Sequence, residues 1–441
     1  MQSSTLGKHA VVVGGSMAGL LAARVLADHF DRVTVLERDR LSETPEARKG
    51  VPQARHVHVL LMSGRRVLER LFPGIINELH AAGASDMDSA KDIAWLTPAG
   101  WGINFDSPLR MLGATRDLIE WGVRSRVVAD PRIRLRSEID VNGLVLNSSA
   151  QRVGAVTVTD RSAGVAETLQ ADVVVDASGR GSKAPQWLEA LGYTRPPETV
   201  INGFLGYSTR FIRKPANWSA DWQALYIQHA PPARKRGGLI FPVEDNRWMV
   251  TLSGAGKDYP PTEEAEWWEF ARSLPDPRFA AAIEAGEPLT PVVGTKSTEN
   301  RLRHYEKLTR RPEGFLVTGD AACAFNPVYG QGMSTAALGA LALDSSLGDG
   351  LSGLARRFQR RLAKSNANAW LVATGEDYRY AEVEGPAAGL STRLLHRYLD
   401  RVTRLATKSA KVRLRLLEVL QLTRSPTSLF NIGVAARAAL V

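Results

Sequence analysis

The residues able to do chemistry in this chain are small residues and lone carboxylates. Near the start, Gly14, Gly15, Ser16 and Gly19 follow the valines Val11 to Val13 and precede a run of helix formers, Leu20 to Ala27. A strand turning this tightly into a helix presents unpaired backbone N–H groups and the positive end of the helix dipole to a phosphate. Gly14 and Gly19 occupy the outer glycines of the G-x-G-x-x-G spacing, and Ser16 takes the middle place, small and itself able to donate to phosphate. Glu37 ends the next apolar run, Val33 to Leu36, at the distance where an acidic side chain receives ribose hydroxyls. Far downstream, Gly319-Asp320 and the stretch from Pro327 through Gly330, Gln331, Gly332 and Met333 supply one carboxylate and a row of bare amides. A bulky, flexible, phosphate-bearing cofactor gripped by the first segment and again at its middle and far end is FAD.

These two segments, together with Arg48-Lys49-Gly50-Val51-Pro52-Gln53-Ala54-Arg55-His56-Val57-His58 and Asp176-Ala177-Ser178-Gly179-Arg180-Gly181-Ser182, resemble the group A flavin monooxygenases of the para-hydroxybenzoate hydroxylase fold. Within that group they are most similar to bacterial alkene epoxidases of polyether biosynthesis, the lasalocid and monensin type. The resemblance implies that Asp320 contacts the ribityl and pyrophosphate part of FAD, that Gly330 to Met333 lie at the amino end of a helix under the flavin pyrimidine, and that Arg116 reaches the cofactor. Arg38, Arg48 and Arg55 complete the implied cofactor set. A helix amino end at that place stabilises negative charge on a reduced flavin. Many relatives carry Asp-Gly where Ser178-Gly179 stands, so no cofactor role is given to Ser178. The implied activity is a monooxygenase that takes NAD(P)H as a transient co-substrate and O2, and epoxidises or hydroxylates a bulky apolar olefin such as a polyketide or terpenoid. Oxygen transfer to an alkene asks the protein for orientation and water exclusion rather than for a general base. A flavin-dependent reductase of prenyl chains and a non-redox cyclase that uses FAD as a scaffold remain open alternatives.

The elements that must position these residues follow from periodicity. A length of 441 residues exceeds one hydrophobic core. The expected architecture is α/β: a Rossmann-like FAD-binding domain assembled from residues 1–75, 106–195 and 296–360, an inserted antiparallel substrate sheet from 76–105 and 196–295, and C-terminal helices over 361–441. Ile93 to Leu96 and Trp101 to Phe105 flank a Pro98-Ala99-Gly100 turn and read as a hairpin. Strands are also expected at Phe204 to Phe211, Ala224 to Ile227, Leu239 to Phe241 and Trp248 to Leu252, the last two joined through Glu244-Asp245-Asn246. Alternation puts Leu205, Tyr207, Thr209 and Phe211 on one face. Phe204, Tyr207, Tyr226, Phe241, Trp248 and Pro327 are the expected substrate contacts, with the reacting centre near Pro327, Gly330 and Gly332.

Other constellations carry less. Gly254-Ala255-Gly256 is followed by Tyr259-Pro260-Pro261, which breaks the helix that a second nucleotide loop would need. His56 and His58 lack a metal-ligand set around them, so hydrogen bonding is expected of them and no metal of the chain. Trp267-Trp268 lacks the W-x-W-x-I-P context of flavin halogenases. The single cysteine, Cys323, reads as a small core residue and fits a reducing cytoplasm. Residues 10 to 27 are apolar but have neither a basic leader nor a cleavage site, and no stretch is long and apolar enough to span a bilayer. From residue 351 onward 16 Lys and Arg face 6 Asp and Glu, which is the whole of the formal net charge of +10. Leu394, Leu395, Tyr398, Val402, Leu405, Leu414, Leu417 and Leu420 recur at helical spacing beside Arg393, Arg397, Arg401, Arg404, Lys408, Lys411, Arg413 and Arg415. The expectation is a helical pair with a solvated basic face, open to an anionic membrane or an acidic carrier protein. No nucleic-acid reading motif accompanies the charge.

Overall fold

In the computed structural model, which describes residues 5–439, a five-stranded parallel sheet runs in the order Phe315–Val317, Val173–Asp176, Gly7–Val13, Phe30–Leu36, Ile133–Arg136. The valine runs of its central strands, Gly7–Val13 and Val173–Asp176, are β-branched and buried on both faces, as parallel strands covered by helices must be. The helix Met17–Leu26 leaves the first strand and packs against the helix Gly332–Leu347, so the two glycine-rich segments lie together although the chain separates them widely. A three-stranded antiparallel meander, Ile139–Leu146, Val153–Asp160 and Val165–Gln170, flanks this unit.

The second sheet has eight strands. Its main path runs Glu287–Pro288, Gly206–Arg213, Arg247–Gly254, Arg236–Val243, Ala224–Ile227, Ile93–Thr97, Gly100–Trp101, with Val293–Thr295 also paired to Gly206–Arg213. Asp245 and Asn246 both take positive φ, 62° and 53°, which suits the tight turn that joins Arg236–Val243 to Arg247–Gly254. The Ile93–Thr97 hairpin forms, but its return strand is only Gly100–Trp101. Nor is the sheet purely antiparallel: Ala224–Ile227 pairs in parallel with Ile93–Thr97, because residues 93–97 join the sheet from an earlier excursion of the chain.

The helices Glu264–Arg272 and Pro277–Glu284 cover one face of this sheet around Trp248, Trp267 and Phe279. Beyond the long helix Leu354–Asp377, the helices Leu390–Ala406, Ala410–Leu420 and Ile432–Ala439 share a small core of their own that includes Val402, Val412, Leu416 and Val434. Leu395 and Leu399 of the first of these helices and Leu416 and Leu420 of the second face a cavity that Tyr226 and Phe241 of the second sheet also line. Arg413 departs from the expected solvated basic face. It is 1% exposed, lies 5.9 Å from the Trp95 ring centroid, and burial holds its pKa down to about 10. A Cβ at Gly102 would collide with its guanidinium, so glycine makes the room for it.

Candidate functional site

The amino-terminal turn has the shape of a phosphate cradle. Gly14 adopts φ +103°, and a Cβ there would stand 2.6 Å from the Ala177 carbonyl oxygen. No side chain caps the helix Met17–Leu26 and no acidic residue lies in its first turn, so its leading N–H groups have no side-chain partner. Glu37, at the end of the neighbouring strand, accepts the Gly15 N–H on Oε2 at 2.8 Å and pairs with Arg48 Nη1 at 3.0 Å. Its Oε1 accepts the Asp39 N–H at 2.9 Å and keeps one lone pair for a ribose hydroxyl.

Arg48 and Arg116 are tied together by a residue that motif reading does not find, Glu120. Arg48 Nη2 meets Glu120 Oε1 at 2.8 Å, Arg116 Nη2 meets Glu120 Oε2 at 2.9 Å, and Ser16 Oγ donates to Glu120 Oε2 at 2.8 Å. Burial alone would raise the Glu120 pKa, but Arg116 and Arg48 outweigh it and hold the carboxyl below its usual range. Burial likewise opposes the Arg48 charge, and Glu120 and Glu37 outweigh it. Ser16 also accepts from Arg116 Nη2 at 2.6 Å, so its hydroxyl is engaged within the protein. The only signal for Glu120 in the sequence is its place four residues after Arg116 on the helix Arg116–Val128. Arg38 and Arg55 are exposed and stand outside this network.

At the second segment, Gly319 (φ +59°) lets the Gly-Asp turn press on the glycine helix, where a Cβ would be 2.6 Å from Ala18 Cβ. Asp320 is half-buried and its carboxylate has no hydrogen bond or ion pair among the described residues. Desolvation pushes its pKa up against the pull of Arg180 and Arg116. Gly330 takes φ +62° after the short helical turn Pro327–Tyr329, and the helix Gly332–Leu347 begins with no capping side chain and no acid in its first turn. A Cβ on Gly332 would meet nothing within 4 Å, and the buried Gln331 Oε1 has no hydrogen-bond partner among the described residues. Met333 turns its side chain into the core, so only its backbone can face a ligand. An open cradle, an orphaned amide oxygen, an unpaired carboxylate and two bare helix ends fit FAD. Glu37, Arg48, the 14–19 turn, Asp320 and 330–333 would hold it. When bound, reduced flavin supplies the electrons and the activation of O2.

Beside this loop is a cavity of about 790 Å³. Tyr207, Tyr226, Phe241, Pro327 and Gly330 line it, as does Trp95, which stacks on Tyr226 at 6.0 Å. Two expected substrate contacts do not reach it. Trp248 points to the other face of the sheet and packs edge-on against Trp218 at 5.2 Å, because adjacent strand positions alternate between faces. Phe204 precedes the strand with φ 48° and carries Lys257 Nζ at 4.3 Å over its ring, away from the cavity lining. The far wall comes from the C-terminal helices, through Leu395, Leu399, Leu416 and Leu420. His56 also lines the cavity, with Nδ1 against Thr209 Oγ1 at 2.8 Å, and burial lowers its pKa to about 4. No group of His, Cys, Asp or Glu able to hold a metal occurs among the described residues. Cys323 is buried and free.

The flavin loop is anchored from behind by Asp377, a residue beyond any motif. Asn300 Nδ2 donates to Asp377 Oδ2 at 2.6 Å, and Asn326 Nδ2 and Tyr329 OH reach Oδ1 at 3.3 and 3.2 Å. Tyr207 OH in turn donates to Asn326 Oδ1 at 2.9 Å, which connects the cavity wall to the anchor. Burial raises the Asp377 pKa from 3.8 to about 7 despite these donors. Protonation is therefore bound more tightly in the folded state, and the contribution of Asp377 to stability is full below about pH 4 and lost as pH rises through about 7. Thermal melts across this window should show that decline, on the order of a few kcal/mol, and Asp377→Asn should flatten it. Identical pH profiles for the two proteins would remove Asp377 from this role.

A family model described as "FAD binding domain" matches residues 8–373. The protein Rv3254 of Mycobacterium tuberculosis is 34% identical over 376 residues, covering 82% of this chain and 79% of that protein. Kynurenine 3-monooxygenase of Salinispora arenicola is 25% identical over 356 residues, covering 76% and 72% of the two chains. Among solved structures, a flavoprotein/dehydrogenase from Cytophaga hutchinsonii superposes with a TM-score of 0.67 at 15% identity, covering 98% of this chain and 96% of that one.

Proposed function

The chain belongs to the FAD-binding domain family, and from that premise we propose that it is an FAD-dependent monooxygenase that uses NAD(P)H and O2 to epoxidise, or hydroxylate, a bulky apolar olefinic polyketide or terpenoid. The observation that carries this reading is the cavity: about 790 Å³, walled by Trp95, Tyr226, Phe241 and the leucines of two C-terminal helices, with the loop 327–331 at one end. Such a space receives a large lipophilic molecule and removes water from around it. Kynurenine 3-monooxygenase among the relatives supports oxygen insertion as the reaction class. The resemblance of the cofactor segments to polyether alkene epoxidases supports an alkene as the acceptor.

The residues at the reacting end support epoxidation over phenol hydroxylation. His56, the imidazole that faces the cavity near the flavin loop, has a pKa of about 4 and is a weak base toward a phenolic proton. Burial raises the Tyr226 hydroxyl above its ordinary value, so that group stays neutral and offers only a hydrogen bond. The tasks left to the chain are to orient the olefin over the loop, hold Tyr207 and Tyr329 through Asn326 and Asp377, and keep solvent out.

With a lipophilic polyene, NAD(P)H and ¹⁸O2, one labelled oxygen atom should enter the product and the other should become water. Label arriving from H2¹⁸O, or turnover under strict anaerobiosis, would move the protein to the reductase or scaffold class.

A further inference from the structure

Among the described residues eight large apolar side chains stand exposed, and five of them, Leu371, Leu390, Leu394, Phe430 and Ile432, fall in the C-terminal part of the chain. Leu371 and Phe430 line the cavity directly, and Phe430 stacks on Tyr398 of the helix Leu390–Ala406 at 4.6 Å, which places the 430–432 segment beside that helix. Ile432 is 88% exposed.

The helix Leu390–Ala406 has two distinct faces. Leu395, Leu399, Val402 and Ala406 turn inward to the cavity and the small helical core. At about 100° per residue, Leu390, Arg393, Leu394, Arg397 and Arg401 share the opposite arc, and all five are exposed. The side chains of Arg393, Arg397 and Arg401 have no hydrogen bond or ion pair among the described residues. The one carboxylate of the helix, Asp400, is engaged by Arg379 Nη1 at 2.8 Å and does not neutralise that face. Among the described residues no helix is long and apolar enough to cross a membrane.

We propose that this face docks on an anionic lipid bilayer, with the three arginines at the headgroups and Leu390, Leu394, Phe430 and Ile432 entering the boundary below them. Leucine at the level of the acyl chains and arginine at the phosphates is the arrangement of an interfacial amphipathic helix. An acidic carrier protein would satisfy the arginines and leave the exposed leucines and isoleucine without a partner, so the bilayer is favoured. Docking turns the cavity mouth toward the lipid, and a lipophilic substrate then passes from bilayer to cavity without crossing water. That passage rests on the oxygenase reading, whereas the docking does not.

The full-length FAD-loaded protein should co-sediment at low salt with vesicles of phosphatidylcholine and phosphatidylglycerol in equal parts, and not with phosphatidylcholine alone. The variant carrying Arg393→Gln, Arg397→Gln and Arg401→Gln should bind roughly 100-fold more weakly. The variant carrying Leu390→Ser, Leu394→Ser and Ile432→Ser should lose at least about tenfold. Since every substituted side chain is exposed, FAD content and melting temperature should stay as in the parent. Absence of binding to the anionic vesicles overturns the proposal. So does binding that falls with the arginines but ignores the apolar set, which would point to an acidic protein partner instead. Vesicle binding needs no turnover, so either result leaves the flavin chemistry to be judged by the oxygen-label experiment.

Discussion

Gly19→Ala should cost the protein both its FAD and much of its stability. A Cβ at Gly19 would overlap the Gly14 carbonyl oxygen, lie 2.9 Å from the carbonyl carbon and stand 3.3 Å from Val12 Cγ1. Two of these neighbours are backbone in a turn already held at φ +103° by Gly14, so no rotamer change relieves the clash. The helix Met17–Leu26 would have to move off the first strand, and its N–H groups would leave the place where they meet a pyrophosphate. Overpacking of this kind costs about 1–3 kcal/mol or more. Gly332→Ala is the control, because its Cβ enters open space. That variant should melt like the parent without cofactor yet bind FAD more weakly, since the added methyl intrudes where a flavin would lie. Flavin released on denaturation and melting curves of both variants decide the matter. Normal FAD content in Gly19→Ala would deny the turn its role as a phosphate cradle.

Asp320→Ala should move two quantities in opposite directions. Without a ligand, Asp320 is a desolvated carboxylate with raised pKa and no partner, a group that weakens the fold at neutral pH. Removing it should raise the melting temperature of the FAD-free protein. With FAD, the same carboxylate accepts from the cofactor, and hydrogen bonds involving a charged group are worth about 1.5–3 kcal/mol, so affinity should fall roughly 10- to 150-fold. A parallel fall in apo stability and FAD affinity would mean that Asp320 is a structural residue. Unchanged affinity would remove it from the cofactor site.

Motifs made the cofactor cradle legible because its demands are local. Gly14, Gly19, Gly319 and Gly330 are required by conformation or by contact with near neighbours, and Glu37 ends a strand adjacent to the turn it serves. Glu120 and Asp377 were not legible. Each lies on a helix whose sequence reads as ordinary, and each acquires its role from partners distant in the chain: Ser16 and Arg48 for Glu120, Asn300 and Asn326 for Asp377. Arg413 shows the converse, a residue that composition assigns to solvent and packing assigns to the interior beneath Trp95.

By itself the sequence determined the α/β class, the binding of FAD and several strands, among them those at Val11 to Val13, Val33 to Leu36, Ala224 to Ile227 and Trp248 to Leu252, because periodicity, turn chemistry and phosphate binding are read from neighbours within a few residues. Only the tertiary structure decided which face of each strand meets the cavity, and so that Tyr226 and Phe241 line it while Trp248 does not. It also decided that the last helices form one wall of the cavity. The physical reason is that a cavity is a property of surfaces brought together by long-range packing. Side-chain facing reverses with a one-residue change in register, and no local preference records which surfaces will meet.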